Sequence, residues 1–243
     1  MTKRLDKFLC DNLGLTRNDA KKEISAGSVK VNGETIKKPE TKITENDEVT
    51  YKSQIIKKIG FVYIALNKPA GVISATEDGK CKTVIDLVYE NEEFKGMLPK
   101  NGLFPIGRLD KDTEGLIVIT NDGMLSHNLL SPKKHVEKEY IAKCEGHIVS
   151  DACARFAIGI QVGTEYKAMP AKLTVLSEKE NENGNEYEYD LDIVLTEGKF
   201  HEVKRMCHEV GVEVTYLKRV RFGKLLLSDL KPGEMKFIRK EDI

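Results

Sequence analysis

The sequence predicts an α+β protein of two domains, the larger one built on a mixed, mainly antiparallel sheet. Short segments rich in β-branched residues recur along the chain, turn residues separate them, and few helical segments are long. A lysine-containing segment with few turn signals, 52–60, separates a small N-terminal region from the rest. We therefore predict a domain at 1–55, a linker at 56–60 and a second domain at 61–243.

Composition excludes several classes of protein. Hydrophobic residues make up 40% of the 243 residues and charged residues 32%, which indicates a sizeable core and a well-hydrated surface. No run approaches the roughly 18 apolar residues of a membrane helix, and the first residues lack a signal-peptide core. The five cysteines are scattered without a C-x-x-C pair. We expect a cytoplasmic protein with free thiols, no metal site, no membrane partner and, by default, a monomeric state.

Charge is balanced overall but not along the chain. Residues 1–60 carry a net charge of +4 and residues 61–243 carry −4. Within the larger region, 177–192 carries −6 and 199–224 carries +4. Two basic regions suit a polyanionic partner, with the acidic segment placed elsewhere. Asymmetry of this size is common in proteins that bind no nucleic acid, so charge alone does not decide the partner.

The N-terminal region predicts two short helices followed by a small antiparallel sheet. Apolar residues at helical spacing predict a first helix that ends at Gly14, and Thr16 is the predicted N-cap of a second helix that ends at Gly27. Val29–Val31 alternates as a strand, and Asn32-Gly33 is a strong hairpin signal. Basic residues occupy its polar positions: Arg4, Lys7, Arg17, Lys21, Lys22 and Lys30. From charge alone, a solvated helix surface is the favoured interpretation.

The larger region predicts strands, turns and short helices. Strands are predicted at 61–66, 72–73, 116–120, 139–143, 171–176, 187–196 and 214–220. Helices are predicted at 83–90, 124–130, 150–158 and 200–210. The acidic segment 177–192 is a predicted hairpin loop.

Three segments are candidates for chemistry, since the sequence has no nucleotide-binding glycine motif, zinc-protease motif or nucleophile elbow. Gly107–Gly115 is a charged loop before a strand, Glu197–Met206 joins a strand to a helix, and Lys138–Tyr140 opens a strand. Composition alone favours a solvated loop, surface charges and a packing tyrosine. Asp110 and Asp112 also resemble the carboxylate pair of a glycosidase, although one i, i+2 pair is weak evidence.

These segments resemble two known families. RLDKFLCDNLGLTRNDAKKEISAGSVKVNGE, at 4–34, is similar to the S4 RNA-binding domain. NKPAG, GRLDKDTEGLIVITNDG, KEY and EGKFHEVKRM resemble, in the expected order, the motifs of the pseudouridine synthases. The whole chain is similar to the branch of that family that begins with an S4 domain and acts on small-subunit ribosomal RNA.

The resemblance implies a role for each matching residue. Asp110 is the implied essential carboxylate, Lys204 its ion-pair partner, and Tyr140 the side chain that stacks on the target base or supports its ribose. Arg108 is implied to fill the gap left by the extruded base, and Leu217 to pack under the uracil.

The S4 resemblance implies RNA phosphate contacts by basic residues of the first domain. Such contacts position a protein on RNA but distinguish few sequences. The residues concerned are Arg4, Arg17, Lys21, Lys22 and Lys30.

The implied activity is the conversion of one uridine to pseudouridine in ribosomal RNA or in a precursor of a ribosomal subunit. The reaction breaks the N1–C1′ bond and joins C5 to C1′ without gain of groups or electrons, so no cofactor is expected. Asp110 either attacks the sugar or takes a proton from C2′, and the sequence leaves both routes open. Two alternatives remain: an enzyme for large-subunit RNA, and a non-catalytic RNA-binding or ribosome-assembly factor.

Overall fold

The computed structural model describes residues 2–56, 60–94, 96–99, 101–180 and 186–243. Two compact units make up the chain: Met1–Phe61 with Tyr89–Leu103, and Val62–Val88 with Phe104–Ile243. The sequence placed 89–103 in the second domain, whereas the structure groups this segment with the first unit. The predicted linker 56–60 lies largely outside the described residues, and the predicted domain boundaries stay predictions.

The first unit contains two helices and short antiparallel strands. Its elements are β1 Lys3–Arg4, α1 Leu5–Leu13, α2 Arg17–Ser25, β2 Val29–Val31, β3 Glu34–Thr35, β4 Lys42–Ile43, β5 Val49–Tyr51 and β6 Gln54–Ile55. Strands β3, β2, β5 and β6 form one sheet in that order, and β1 pairs with β4. The predicted caps are confirmed: Gly14 ends α1 with a φ of 76°, and the Thr16 side chain accepts a hydrogen bond from N of Asp19.

Apolar faces of these elements form one core, in which Leu5, Leu9, Ile24 and Val29 are fully buried. One detail of the sequence prediction is wrong. Residues 52–55, predicted as the start of a linker segment, form the turn and last strand of the sheet. The cause is a chain reversal at Lys52 and Ser53, both at positive φ, that lets β6 pair with β5.

The second unit is built on one large sheet with short helices. Its elements are β7 Tyr63–Lys68, α3 Val84–Glu90 (whose last two residues belong to the first unit), β8 Phe104–Ile106, β9 Glu114–Thr120, α4 Gly123–Leu130, β10 Lys138–Gly146, α5 Ala152–Ile158, β11 Gln161–Val162, β12 Tyr166–Lys167, β13 Lys172–Glu180, β14 Tyr187–Leu195, α6 Glu202–His208, β15 Val212–Phe222, β16 Leu225–Leu226 and β17 Met235–Phe237. Among the described residues, no helix is long and apolar enough to cross a membrane.

The large sheet has the strand order β13-β14-β10-β15-β9-β7-β17, with β8 beside β9 and β16 beside β15. β15 lies between β10 and β9; it is antiparallel to β10 and parallel to β9. The other pairs are antiparallel, which confirms the predicted mixed, mainly antiparallel sheet. Strands β7 and β9 are buried along most of their length, as their continuous apolar runs predict.

Two predicted features of this unit differ in the structure. Val72-Ile73 forms no strand, and Ile73 makes only an isolated bridge to Thr83. The carbonyl oxygens of Pro69 and Val72 accept hydrogen bonds from the buried Lys68 side chain instead of pairing with a neighbouring strand. The acidic segment 177–192 is mainly strand, since β13 and β14 include 177–180 and 187–192. Residues 181–185, the centre of the predicted loop, lie outside the described residues.

Candidate active site

The candidate site lies at one end of the central strands of the large sheet. Tyr140 of β10 lies between Ile193 of β14 and Arg219 of β15 in the strand register. Arg219 in turn pairs with Gly115 at the start of β9. The loop before β9 and the segment after β14 both leave the sheet at this level. Three motifs that are distant in sequence therefore meet at one place.

Gly115 allows β9 to approach β15 closely. Its φ is 108°, a value that residues with a Cβ rarely adopt. A Cβ at this position would lie 2.2 Å from the carbonyl oxygen of Arg219. Only glycine therefore permits this parallel contact, which fixes the end of the loop that carries Asp110.

The loop Gly107–Thr113, here called the aspartate loop, is held by its backbone just before Asp110. The Ser74 hydroxyl accepts a hydrogen bond from N of Leu109 at 3.0 Å and donates one to the carbonyl oxygen of the same residue at 2.9 Å. N of Thr113 donates to the carbonyl oxygen of Asp110 at 3.2 Å. The backbone at Asp110 is therefore fixed on both sides without use of its carboxylate.

Lys68 and the turn that follows it hold the aspartate loop beyond Asp110. The fully buried Lys68 donates from Nζ to the carbonyl oxygens of Val72 at 2.7 Å and Lys111 at 3.2 Å. N of Gly71 donates to the same Lys111 oxygen at 2.8 Å. Burial lowers the pKa of Lys68 to about 8. The N-K-P-A-G motif thus has a structural function at the site.

Three charged or titratable side chains surround Asp110. His201 Nε2 lies 3.7 Å from Asp110 Oδ1, and Lys204 Nζ lies 3.9 Å from Oδ2. The closest partner of Lys204 is Asp112, whose two carboxylate oxygens lie 2.8 and 2.7 Å from Nζ. The hydrogen bond from Lys204 lowers the pKa of Asp112. Lys204 therefore lies near two carboxylates rather than forming the expected pair with Asp110 alone. Asp112, two residues along the loop, is closer to the ammonium group.

A cavity adjoins the Asp110 carboxylate, with apolar side chains on one part of its lining and charged ones on the rest. Tyr140, Leu195 and Leu217 line it, with the side chains of Tyr140 and Leu217 almost fully buried. Its volume is about 60 Å³, and a groove of about 830 Å³ shares Asp110 with it. Arg108 is exposed and lines both spaces. The structure thus brings together all five residues that the pseudouridine synthase resemblance singled out.

A pair of carboxyl groups holds the segment Glu197–Glu202, here called the glutamate segment, which forms another side of the cavity. Glu202 is buried and accepts a hydrogen bond from N of Lys199 at 2.9 Å. Lys199 Nζ lies 3.0 Å from Glu197, which also accepts from N of Met169. Desolvation and the hydrogen bond with Glu197 raise the pKa of Glu202 to about 7. Although desolvation opposes it, the hydrogen bonds from Glu202, Met169 and Lys199 lower the pKa of Glu197.

The predicted RNA-contacting residues form a separate surface on the first unit. Arg4 donates from Nε and NH2 to the buried carboxylate of Asp6 at 3.1 and 2.8 Å, and Arg17 Nε lies 3.4 Å from the same carboxylate. One buried acid therefore orients two exposed guanidinium groups. The predicted lysines are all exposed: Lys21, Lys22 and Lys30.

The described residues of the site offer no evident set of metal-binding side chains. In the part of the chain that the structure describes, no group of three or more His, Cys, Asp or Glu side chains is placed to hold a metal ion. The carboxylates of Asp110 and Asp112 instead lie around the ammonium group of Lys204.

Comparison with known proteins identifies both parts of the chain. Residues 62–209, more than half of the chain, match the family described as RNA pseudouridylate synthase. The chain belongs to the RNA pseudouridylate synthase family. Residues 3–49 match the S4 domain, so this pseudouridylate synthase begins with the RNA-binding module that its first helices and hairpin predicted.

Relatives of this pseudouridylate synthase share its whole length. An uncharacterized RNA pseudouridine synthase of Bacillus subtilis is 39% identical over 99% of this chain and 96% of that protein. A ribosomal small subunit pseudouridine synthase A of Vibrio parahaemolyticus is 38% identical over 99% of this chain and 97% of that protein. A solved crystal structure of a pseudouridylate synthase has 32% identity and a TM-score of 0.64, covering 98% of this chain and 97% of the other.

Some residues of this pseudouridylate synthase site were not predicted from the sequence. Ser74 holds Leu109, and Glu202 forms the carboxyl pair with Glu197. The E-G-K-F-H-E motif contained both glutamates, but nothing in their spacing shows that the chain reverses between them. Ser74 follows the N-K-P-A-G motif by three residues, and that proximity was the only available signal.

Proposed function

We propose that this pseudouridylate synthase isomerises one uridine of small-subunit ribosomal RNA, with Asp110 as its essential carboxylate. The observation that carries the proposal is the position of Asp110, within 3.9 Å of Lys204 and beside a cavity whose apolar side includes Tyr140 and Leu217. Relatives that are similar to this chain over nearly their full length are named ribosomal small subunit pseudouridine synthase A, and this name supports the choice of RNA. A ribosomal substrate also implies a cytoplasmic enzyme.

The chemistry needs one ionised carboxylate at C1′ or C2′ of the target ribose. The N1–C1′ bond breaks, the C5–C1′ bond forms, the hydrogen of C5 is lost and N1 gains a hydrogen, so the atomic composition is unchanged. Asp110 acts either as the nucleophile at C1′ or as the base that takes the C2′ proton. In both routes the Lys204 ammonium group lies beside the reacting carboxylate, 3.9 Å from Oδ2.

The detached uracil has to turn without escaping, and the cavity suits this requirement. Tyr140 offers a flat ring on one strand, and Leu217 lies on the neighbouring strand with its side chain in the same cavity. Stacking and apolar contact hold a base without fixing its rotation, and exclusion of water prevents attack at C1′. Arg108, exposed at the mouth of the cavity, is placed to occupy the position of the extruded base.

The first unit supplies RNA affinity in this proposal. Asp6 orients Arg4 and Arg17 side by side, and exposed lysines extend the basic surface. Guanidinium groups bind phosphate oxygens through two donors in a fixed plane. Such an array binds the phosphates of the RNA backbone, while the second unit turns the target nucleotide out of the stack of neighbouring bases.

The proposal is tested by release of tritium from C5 of uridine in transcribed small-subunit RNA and in small-subunit particles. Asp110→Asn should reduce turnover about a thousandfold or more while RNA binding stays nearly unchanged, because the amide neither attacks nor accepts a proton. Asp112→Asn is the matched control, since Asp112 is 72% exposed and lines neither the cavity nor the groove. We expect this variant to keep activity within about tenfold of the wild type.

Equal turnover by Asp110→Asn would remove Asp110 from the active site. Release from large-subunit RNA alone would replace the proposed substrate by the other ribosomal RNA. If the wild type bound RNA but released no tritium from either, a binding or assembly factor would be the better conclusion.

A further inference from the structure

An aromatic side chain near the site has no part in the mechanism above. Phe200, in the glutamate segment, is 67% exposed. Its ring stacks on that of His201, with centroids 3.8 Å apart and planes inclined by 16°. One face of the phenyl ring is therefore covered, and the large exposed fraction shows that the remainder of the ring is open to solvent. A single exposed apolar residue is ordinary on a protein surface, so its surroundings decide whether it matters.

The backbone fixes the direction of this ring pair. His201 has a φ of 50°, a value uncommon for residues other than glycine. The next residue is the buried Glu202, and the carbonyl oxygen of His201 accepts the N–H of Arg205 at 2.9 Å in the first turn of α6. The backbone of His201 is therefore anchored to the start of α6, and the Phe200 ring stacks on the side chain of this anchored residue.

The ring pair lies in the groove that shares Asp110 with the catalytic cavity. Phe200 and His201 both line this groove, and His201 Nε2 is 3.7 Å from Asp110 Oδ1. The groove volume of about 830 Å³ is far larger than the cavity at Tyr140. It lies within the range of sites, roughly 300–1,000 Å³, that bind small organic groups. Phe200 is absent from the lining of the cavity itself, so a base on Phe200 is not the base being isomerised.

Positive charge accompanies the exposed ring. Arg108 and Lys111 line the same groove. Neither forms a salt bridge within the described part of the chain, and Lys111 donates from Nζ to Sγ of Cys81 at 3.4 Å. Aromatic faces next to cations are the arrangement by which proteins bind unpaired nucleotides, with bases stacked and phosphates neutralised. Extrusion of a uridine also breaks the stacking of its neighbour, which leaves that neighbour without one partner.

We propose that Phe200, backed by His201, is a stacking site for the nucleobase adjacent to the target uridine in the substrate RNA. This inference rests on the proposed function and adds a second base contact outside the catalytic cavity. Phe200 is assigned the stacking contact that the neighbouring base loses when the target leaves the helix, and Lys111 is assigned a neighbouring phosphate.

The test compares Phe200→Ala, Phe200→Leu and Phe200→Trp, with Phe237→Ala as the matched control. Phe237 is 43% exposed in β17 and lines neither the cavity nor the groove. KM and kcat come from tritium release with small-subunit RNA, and Kd comes from fluorescence anisotropy in an Asp110→Asn background at several salt concentrations. Melting temperatures verify that each variant is folded.

We expect Phe200→Ala and Phe200→Leu to raise KM and Kd about tenfold, whereas Phe200→Trp stays within about twofold of the wild type. Leucine keeps apolar volume but lacks a flat ring, so it separates stacking from simple burial. The slope of log Kd against log salt should not change, because stacking releases no counterions, whereas Lys111→Gln should reduce that slope by about one.

Three results would overturn the inference: Phe200→Ala equal to Phe237→Ala, Phe200→Leu equal to the wild type, or a salt slope altered by Phe200→Ala. Failure of the proposed function has a different signature, since the wild type itself would then release no tritium. The binding measurements decide the stacking site in that case as well, because they require no turnover.

Discussion

The aspartate loop and the glutamate segment face the same cavity but are held by different forces. The aspartate loop is fixed through its backbone, by Ser74, by Lys68 and by the close approach of Gly115 to β15. The glutamate segment is fixed through carboxylate side chains, since Glu202 accepts a hydrogen bond from N of Lys199 and Glu197 accepts one from N of Met169. The carboxylate proposed for catalysis is thus carried on the side of the site that is held mainly through backbone atoms.

Gly115→Ala should have the largest effect, because it breaks the backbone contact that fixes the aspartate loop. The added Cβ meets the carbonyl oxygen of Arg219 at 2.2 Å and occupies an unfavourable φ. We expect the free energy of unfolding to fall by roughly 3–5 kcal/mol, with activity lost in the remaining folded fraction. Urea denaturation and tritium release measure the two effects.

Gly123→Ala is the control for that substitution. Gly123 begins α4, and a Cβ there would meet no atom within 4 Å. Alanine should be neutral or slightly stabilising. A similar loss of stability in both variants would show that the contact with β15 is not the cause.

Glu202→Gln tests the other side of the comparison through pH. Because the pKa of Glu202 is raised to about 7, the folded wild type binds this proton more tightly than the unfolded chain. Its free energy of unfolding therefore falls as pH rises from about 4.5 to about 7, and the stabilisation by this proton is complete only below that window. Glutamine stays neutral over this range. Between pH 5 and pH 8 we therefore expect the free energy of unfolding of the wild type to fall by on the order of 2 kcal/mol relative to that of Glu202→Gln.

Guanidinium denaturation at the two pH values measures this difference. The exposed Glu178→Gln should show no such change relative to wild type. Parallel curves for wild type and Glu202→Gln would mean that the carboxyl pair does not titrate in this range.

Ser74→Ala should have the smallest effect. It tests whether hydrogen bonds to the backbone hold the aspartate loop in position. The variant loses both hydrogen bonds to Leu109, which together are worth about 1 kcal/mol. Since Ser74 acts on the position of Asp110, we expect kcat to fall about fivefold with KM unchanged. Ser74→Thr keeps the hydroxyl and should restore kcat; a rise in KM instead would indicate a substrate contact.

The sequence was sufficient for the local elements and for the motifs, but not for their arrangement in space. Alternating and continuous apolar runs predicted most strands, and capping residues such as Thr16 predicted where helices begin. Val72-Ile73 was predicted as a strand because its residues are β-prone, while the structure uses the adjacent turn to bind Lys68. Propensity contains no information about a buried ammonium group four residues before the predicted strand.

In the candidate site, too, the sequence predicted the motifs but not all of the contacts between them. The long motif placed Asp110 in a loop before a strand, and that placement agrees with the structure. The partner of Lys204 was predicted as Asp110 alone, whereas Asp112 lies closer. Two carboxylates two residues apart compete for one cation, and the conformation of the loop decides between them.

The position of β15 determines when this enzyme becomes active during its own synthesis. Asp110 lies in the loop before β9 and Tyr140 lies on β10, yet β9 and β10 do not pair with each other; both pair with β15, which is made about seventy residues after β10. In a nascent chain that ends before residue 212, the strand after the aspartate loop and the strand of the tyrosine have no common neighbour. Because chains are made from the N-terminus and units fold once complete, the RNA-binding module emerges first and catalysis becomes possible only near the end of translation.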